Sequence, residues 1–404
     1  MALPSQSTSA GSGKKRWILL IGIVVAVALV VVIGTVVIHA SGGSTAAGPV
    51  TNDASVNHPT QPKIAARPLT VTSIVPAPGA TNVATDAVLT VNYSMPLSTT
   101  PSPPTLNPPV VGDWNRQGST MTFVPTGGWM PYANETVTVP AGATTVVKGA
   151  KATSTTATTT TFQVAAGSET RVEQMLAELN YLPFTFEPST PFSGKVTSAL
   201  QAEPSTADTV STSALSGTLN WSWPTVPSTL SALWTPGQAN TLDKGAVMAF
   251  ESDHNMKMDG VAGSAVWSAL LTAVAARQTD PNPYDYLVAS ESLPETLKVY
   301  RDGQVIYSTL SNTGVPGATT QQGTFPVYLR FRSTEMKGTN VDGTKYDDPD
   351  IPWVAYFNGG DAVHGYPRSS YGHPQSNGCV ELPISNAAQV WPMDTYGTLV
   401  TVTG

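Results

Sequence analysis

The sequence predicts a multidomain, mainly β chain, with one small helical module and one N-terminal membrane-spanning helix. Three observations carry this reading. Charged residues make up only 12% of the 404 residues, whereas Gly and Pro number 34 each, a loop-rich composition. From Leu69 onward, short alternating apolar and polar runs recur between turn residues, the habit of half-buried strands. Between about residues 167 and 279 the apolar period changes to that of a helix. The net charge of −7 argues against nucleic acid as a partner.

Trp17 to Ile38 form an uncharged apolar run preceded by Lys14, Lys15 and Arg16. At about 1.5 Å per residue such a helix spans the roughly 30 Å bilayer core. The basic flank puts residues 1–16 in the cytoplasm and everything after the 17–38 anchor outside, facing the cell wall if the source is bacterial. A cleaved signal peptide is the alternative. Residues 39–67, rich in Gly, Ser, Thr, Ala and Pro, read as a flexible tether.

Strands are expected at Thr70–Val75, Ala87–Tyr93, Thr120–Pro125 and Thr136–Pro140, giving a β-sandwich over 68–166. The stretch from Val75 to Leu97 resembles a bacterial surface Ig-like module. Such modules are spacers or binding surfaces, and no catalytic constellation is visible in this one.

Val172, Met175, Leu176 and Leu179 fall on one helical face; Leu242, Ala246, Ala249 and Phe250 form a second stripe; Trp267, Leu270, Leu271 and Val274 form a third, with Ser264 as its expected N-cap. The Asp259-Gly260 turn between the last two stripes resembles the helix–loop–helix of a small peptidoglycan-binding module, which implies glycan strands as a partner. Residues 185–236 interrupt that resemblance. Their Trp221, Trp223 and Trp234 are read as core residues rather than as platforms for sugar rings.

Asp280-Pro281-Asn282-Pro283 ends the helical module and opens a C-terminal region over 284–404. Thr296–Arg301 and Gln304–Thr309 read as a hairpin across Asp302-Gly303, a dipeptide suited to a type I′ turn. Trp353–Phe357 is expected to be the strand leading to His364, Ser385 to cap a short helix through Trp391, and Thr398–Val402 to close the sheet.

The chemistry concentrates near the C-terminus. Cys379 is the only cysteine, so it has no intrachain disulfide partner, and outside the cytoplasm an idle thiol is a liability. A thiol becomes a nucleophile beside a base, and His364 precedes it by a strand and a loop. His364, Ser376, Gly378, Cys379 and the apolar Val380 resemble the signature of the YkuD-type L,D-transpeptidase family, which cross-links peptidoglycan. The chain departs from that pattern at Asn377, where the family usually has His, and at Glu381, where it usually has Asn or Arg.

The resemblance implies a β-rich catalytic domain with no cofactor. It implies a thioester acyl-enzyme on Cys379, with His364 as base and the Gly365 carbonyl holding the other ring nitrogen. Peptidoglycan stem peptides would be donor and acceptor, and the product a 3-3 cross-link. Ser376, Asn377 and Gly378 form the loop whose amides are expected to hold the oxyanion. Asp361 is a rival to Gly365 as orienter, and His373 a rival base. Tyr356, Asn358, Tyr366, Arg368 and His373 are candidate substrate contacts, with Arg368 placed to meet a stem carboxylate in a bidentate pair. No metal is expected, because the histidines are not at ligand spacing. Water as acceptor would give an L,D-carboxypeptidase, and a protein amine would give attachment of a protein to the wall. A disabled site would leave a wall-binding scaffold.

Overall fold

The computed structural model describes residues 67–147, 149–189 and 210–404. The expected cytoplasmic tail, the anchor at 17–38, the tether up to residue 66 and residues 190–209 of the insertion lie outside the described residues. Among the described residues no helix is long and apolar enough to cross a membrane.

The first part of the described chain is a sandwich. Its strands are β1 (Val71–Val75), β2 (Ala80–Val83), β3 (Leu89–Tyr93), β4 (Thr105–Asn107), β5 (Gly112–Gln117), β6 (Thr120–Pro125), β7 (Asn134–Val139), β8 (Thr144–Val147), β9 (Ala150–Thr153) and β10 (Thr158–Val164). One sheet has the order β1-β3-β6-β5 and the other β2-β10-β7-β4; β8 and β9 form a separate hairpin. The alternation read from the sequence is the alternation of burial. In β3, Leu89, Val91 and Tyr93 are buried while Thr90 and Asn92 are less so. Trp129 fills the centre, with Phe162 edge-on at 5.1 Å and Phe123 at 5.7 Å. Its indole N–H donates to the Ala87 carbonyl at 2.7 Å, so the ring is buried without an orphaned donor.

The middle part holds α1 (Glu169–Glu178), the antiparallel pair β11 (Phe184–Pro188) and β12 (Gly217–Trp221), then α2 (Ser228–Ser231), α3 (Thr241–Asp253) and α4 (Ser264–Ala276). The three apolar stripes meet in one core, where Met175, Leu176, Phe250, Trp267, Leu270 and Leu271 are buried. Trp221 and Trp234 pack on Phe184, and Trp223 on Tyr284, so these rings are spent on neighbours within the fold. The turn between α3 and α4 is held by Glu251, whose carboxylate accepts from the Asp259 and Gly260 amides at 2.9 and 2.8 Å. Ser264 is the first helical residue and Gly263 the cap. With no side chain at the cap, no side-chain hydrogen bond closes that end.

The C-terminal part has two sheets. Its elements are β13 (Asp285–Ser290), β14 (Thr296–Arg301), β15 (Gln304–Leu310), β16 (Gly323–Pro326), β17 (Leu329–Thr339), β18 (Lys345–Asn358), β19 (Asp361–Gly365), β20 (Val380–Leu382), α5 (Ile384–Val390) and β21 (Leu399–Thr403). The first sheet runs β15-β14-β13-β21-β16, the second β17-β18-β19-β20. Leu287, Leu297, Val299 and Val400 of the first pack on Ala355, Val363, Val380 and Leu382 of the second. β14 and β15 pair antiparallel across Asp302 and Gly303, both at positive φ (50° and 77°), the backbone of a type I′ turn. α5 begins at Ile384 after Pro383, so Ser385 lies inside the helix instead of capping it. Pro383 serves there because its missing N–H is one that a helix start leaves unsatisfied anyway.

The core of the helical part is continuous with the C-terminal sheet through Tyr286 and Leu399. α3 comes close to the loop before β21 at Gly245, where a Cβ would lie 2.6 Å from the Gly397 carbonyl oxygen. A side chain at Gly245 would push the two apart.

Candidate active site

The site is built on the second sheet. β19 and β20 run parallel, with Val363 opposite Val380 and His364 opposite Glu381. Cys379, just before β20, therefore stands level with Ala362, whose backbone N–H points at the sulfur. His364 is two residues further along β19 and, by strand alternation, on the same face as Ala362. His364 and Cys379 both line one cavity of about 610 Å³. The long β17–β18 hairpin overhangs this cavity and lends it Met336, Asn340, Tyr346 and Asp348.

His364 is 3% exposed, and its Nδ1 lies 3.1 Å from the Gly365 carbonyl oxygen. That contact makes Nδ1 the protonated nitrogen and leaves Nε2 as the basic one. Burial lowers the pKa of the imidazole; the Gly365 carbonyl and the Glu381 carboxylate oppose that shift. Burial pushes the Cys379 thiol up to about 12, and Asp361 and Glu381 add to the shift against the Ala362 N–H. Both shifts favour the uncharged forms, a neutral thiol and a neutral imidazole. The thiol points at the Gly360 carbonyl, with sulfur and oxygen 3.7 Å apart.

Ser376, buried, ties the Cys379 loop: its hydroxyl donates to the Cys379 carbonyl at 2.6 Å and accepts from the Gly378 N–H at 3.2 Å. This corrects the expectation that the Gly378 amide is free for an oxyanion, because Ser376 already occupies it. Gly378 has φ +118°, and a Cβ there would lie 2.5 Å from Asp361 Oδ1. The position therefore requires glycine on both backbone and steric grounds. Asn377 donates from its side chain to Asn340 Oδ1 at 2.7 Å, fastening the loop to the tip of the overhanging hairpin.

Several expected contacts are corrected. The Nε edge of the Arg368 guanidinium, which lines the cavity, is already taken: Nε and a terminal nitrogen donate to the two Glu381 oxygens at 2.8 and 2.7 Å, and the same terminal nitrogen reaches the Gln375 carbonyl at 3.0 Å. Glu381 is the partner that holds this arginine, a role its place beside Cys379 and Val380 did not signal. Tyr356 and Tyr366 line the cavity, whereas Asn358 and His373 do not. Asn358 pairs with Asp361 at the β18–β19 turn. His373 lies near Glu295 and does not line the cavity that holds Cys379, so it is not placed as the base. Asp361 is not an orienter of His364 either; its carboxyl faces Gly378 and the Cys379 side of the cavity. Among the described residues no group of three or more His, Cys, Asp or Glu side chains is arranged to hold a metal ion.

The geometry is that of a cysteine with a positioned imidazole in a concave site. Residues 285–402 match the L,D-transpeptidase catalytic domain. Residues 65–163 match the bacterial Ig-like domain. No curated protein matches the sequence. Among solved structures, an L,D-transpeptidase from Mycobacterium smegmatis is 15% identical over 84% of this chain and 100% of its own, at a TM-score of 0.28. The catalytic domain of the E. faecium L,D-transpeptidase is 27% identical over 30% of this chain and 99% of its own, at 0.27. L,D-transpeptidase 3 from Mycobacterium tuberculosis, in complex with a faropenem-derived adduct, is 14% identical over 83% of this chain and 98% of its own, at 0.28. The stretch that matches the L,D-transpeptidase catalytic domain contains the cavity with Cys379 and His364, and Tyr356, Tyr366 and the Asp361 carboxyl stand around it.

Proposed function

We propose that this chain is a cysteine-dependent L,D-transpeptidase that forms 3-3 peptidoglycan cross-links through a thioester on Cys379. The observation that carries this is the shared cavity, in which an imidazole with Nδ1 fixed by the Gly365 carbonyl lies two ladder positions from the thiol. A stem tetrapeptide is the donor. His364 takes the thiol proton as sulfur attacks the carbonyl between the diamino acid and the terminal D-Ala. With burial favouring the neutral form of each group, the proton moves during attack. Backbone amides of Asn377 and Cys379 are the candidate donors to the oxyanion, since Ser376 already takes that of Gly378. D-Ala departs with the proton from His364. A side-chain amine of a second stem then attacks the thioester.

The same reading places the catalytic domain outside the cell, held by the apolar run at 17–38, with the Ig-like module as spacer and the helical segment against glycan strands. Incubation with a carbapenem followed by mass spectrometry tests it: a covalent adduct forms on the wild type and is lost in Cys379→Ala. Digested wall fragments then separate acceptors, since 3-3 dimers mean transpeptidation and tripeptides alone mean carboxypeptidase action. Absence of an adduct on the wild type would leave a wall-binding scaffold.

A further inference from the structure

A second acid–base group stands in the cavity, and the mechanism above leaves it unused. Asp361 opens β19, one residue before the point level with Cys379, while His364 lies two residues beyond that point. Its Oδ1 fills the space above Gly378 that a side chain would take. Its other contacts are the Gln321 N–H, 3.4 Å from Oδ2, and the Asn358 side chain; neither is a cation. The Tyr328 hydroxyl and the Cys379 thiol are the titratable groups that sense its charge. Both cavity cations are committed elsewhere: Lys337 to Glu335 and Asp347, Arg368 to Glu381. A carboxylate at the nucleophile would therefore find its cation in the ligand. It is a poor neighbour for a thiolate, so a role in the first half-reaction does not explain it.

The second half-reaction has a proton problem that one histidine does not solve. A side-chain amine arrives as an ammonium ion and has to lose one proton before it attacks and another afterwards. We propose that Asp361 binds the acceptor ammonium beside Cys379 and takes its first proton, so that Asp361 is the acceptor-side general base. This rests on the transpeptidase reading above. R′NH3+ gives a proton to the Asp361 carboxylate. The neutral nitrogen bonds to the thioester carbonyl carbon, and the C–S bond breaks. His364 takes the second nitrogen proton and returns it to the leaving sulfur. Asp361 then releases its proton to solvent. Acyl-S-Cys379 and R′NH3+ thereby become the amide, the free thiol and one proton. Partial burial, which raises the Asp361 pKa, suits it to accept that proton.

The test compares acceptors of different basicity on the same acyl-enzyme. Wild type and Asp361→Asn are given a stem tetrapeptide donor with either a stem amine or methoxyamine, which is already neutral at pH 7. The ratio of amide product to hydrolysed tripeptide is read by mass spectrometry. The expected result is a fall in that ratio of about a hundredfold for the stem amine, with little change for methoxyamine. An equal loss with both amines would make Asp361 a structural support of the Gly378 loop and overturn the proposal, as would an unchanged ratio with the stem amine. Asp361→Ser provides the same comparison if the Asn variant does not fold. A wild type that forms no carbapenem adduct fails earlier, at the transpeptidase reading itself, so the two failures are distinct.

Discussion

Truncation of Glu381 in Glu381→Ala strands the Arg368 guanidinium, and the cost is readable from the site. The pair is bidentate, with donor–acceptor distances of 2.8 and 2.7 Å, and the two side chains are 29% (Arg368) and 6% (Glu381) exposed. Removing one partner of a fully buried pair costs about 3–5 kcal/mol, because the remaining charge keeps its desolvation penalty. Arg368 keeps some contact with water, donates to the Gln375 carbonyl and lies over the Tyr366 ring at 4.6 Å, so part of that penalty is relieved. The expected loss is about 2–3 kcal/mol, below that range. A double-mutant cycle with Arg368→Ala, read by equilibrium unfolding, isolates the pair, and a coupling of about 1.5–2.5 kcal/mol is expected. The same substitution removes a charge that raises the His364 pKa and the Cys379 pKa, so both are expected to move down. Single-mutant losses under about 0.5 kcal/mol, or a cycle that adds without coupling, would refute the reasoning.

Three further outcomes follow from the site. Since burial favours the neutral imidazole of His364, carbapenem acylation is expected to hold as pH falls through the ordinary histidine range near 6.5 and to decline only below it; a midpoint above 7 in the acylation rate profile contradicts that sign. Iodoacetamide alkylation of Cys379 is expected to be slow at neutral pH and to climb toward alkaline pH, as a thiol pushed up to about 12 requires; full reactivity at pH 7 would mean a stored thiolate. Gly378→Ala, which meets both a positive φ and the Asp361 carboxyl, is expected to slow adduct formation at least about tenfold, and mass spectrometry against time reads it directly.

The sequence by itself determined where several of the strands and the three longer helices lie and which of their side chains face inward, because alternation and helical period are local properties of the chain. Burial in β3 and in the helical core follows the stripes at Leu89, Val91 and Tyr93, and at Met175, Phe250 and Trp267. It also singled out Cys379 and His364, since a lone thiol and a spaced imidazole are visible as residue types. What it did not determine is how polar groups were spent. Arg368 was legible as a free fork and Glu381 as an oddity, yet the parallel β19–β20 pairing brings them into one ion pair. The Gly378 amide was legible as an oxyanion donor, yet Ser376 accepts it. The Asn377 side chain was legible only as a missing imidazole, yet it reaches across to Asn340 on a hairpin whose overhang no local pattern announced. Each of these depends on a partner distant in sequence. A side chain's type fixes what bonds it is able to make, and only the tertiary placement of its partner decides which one it makes.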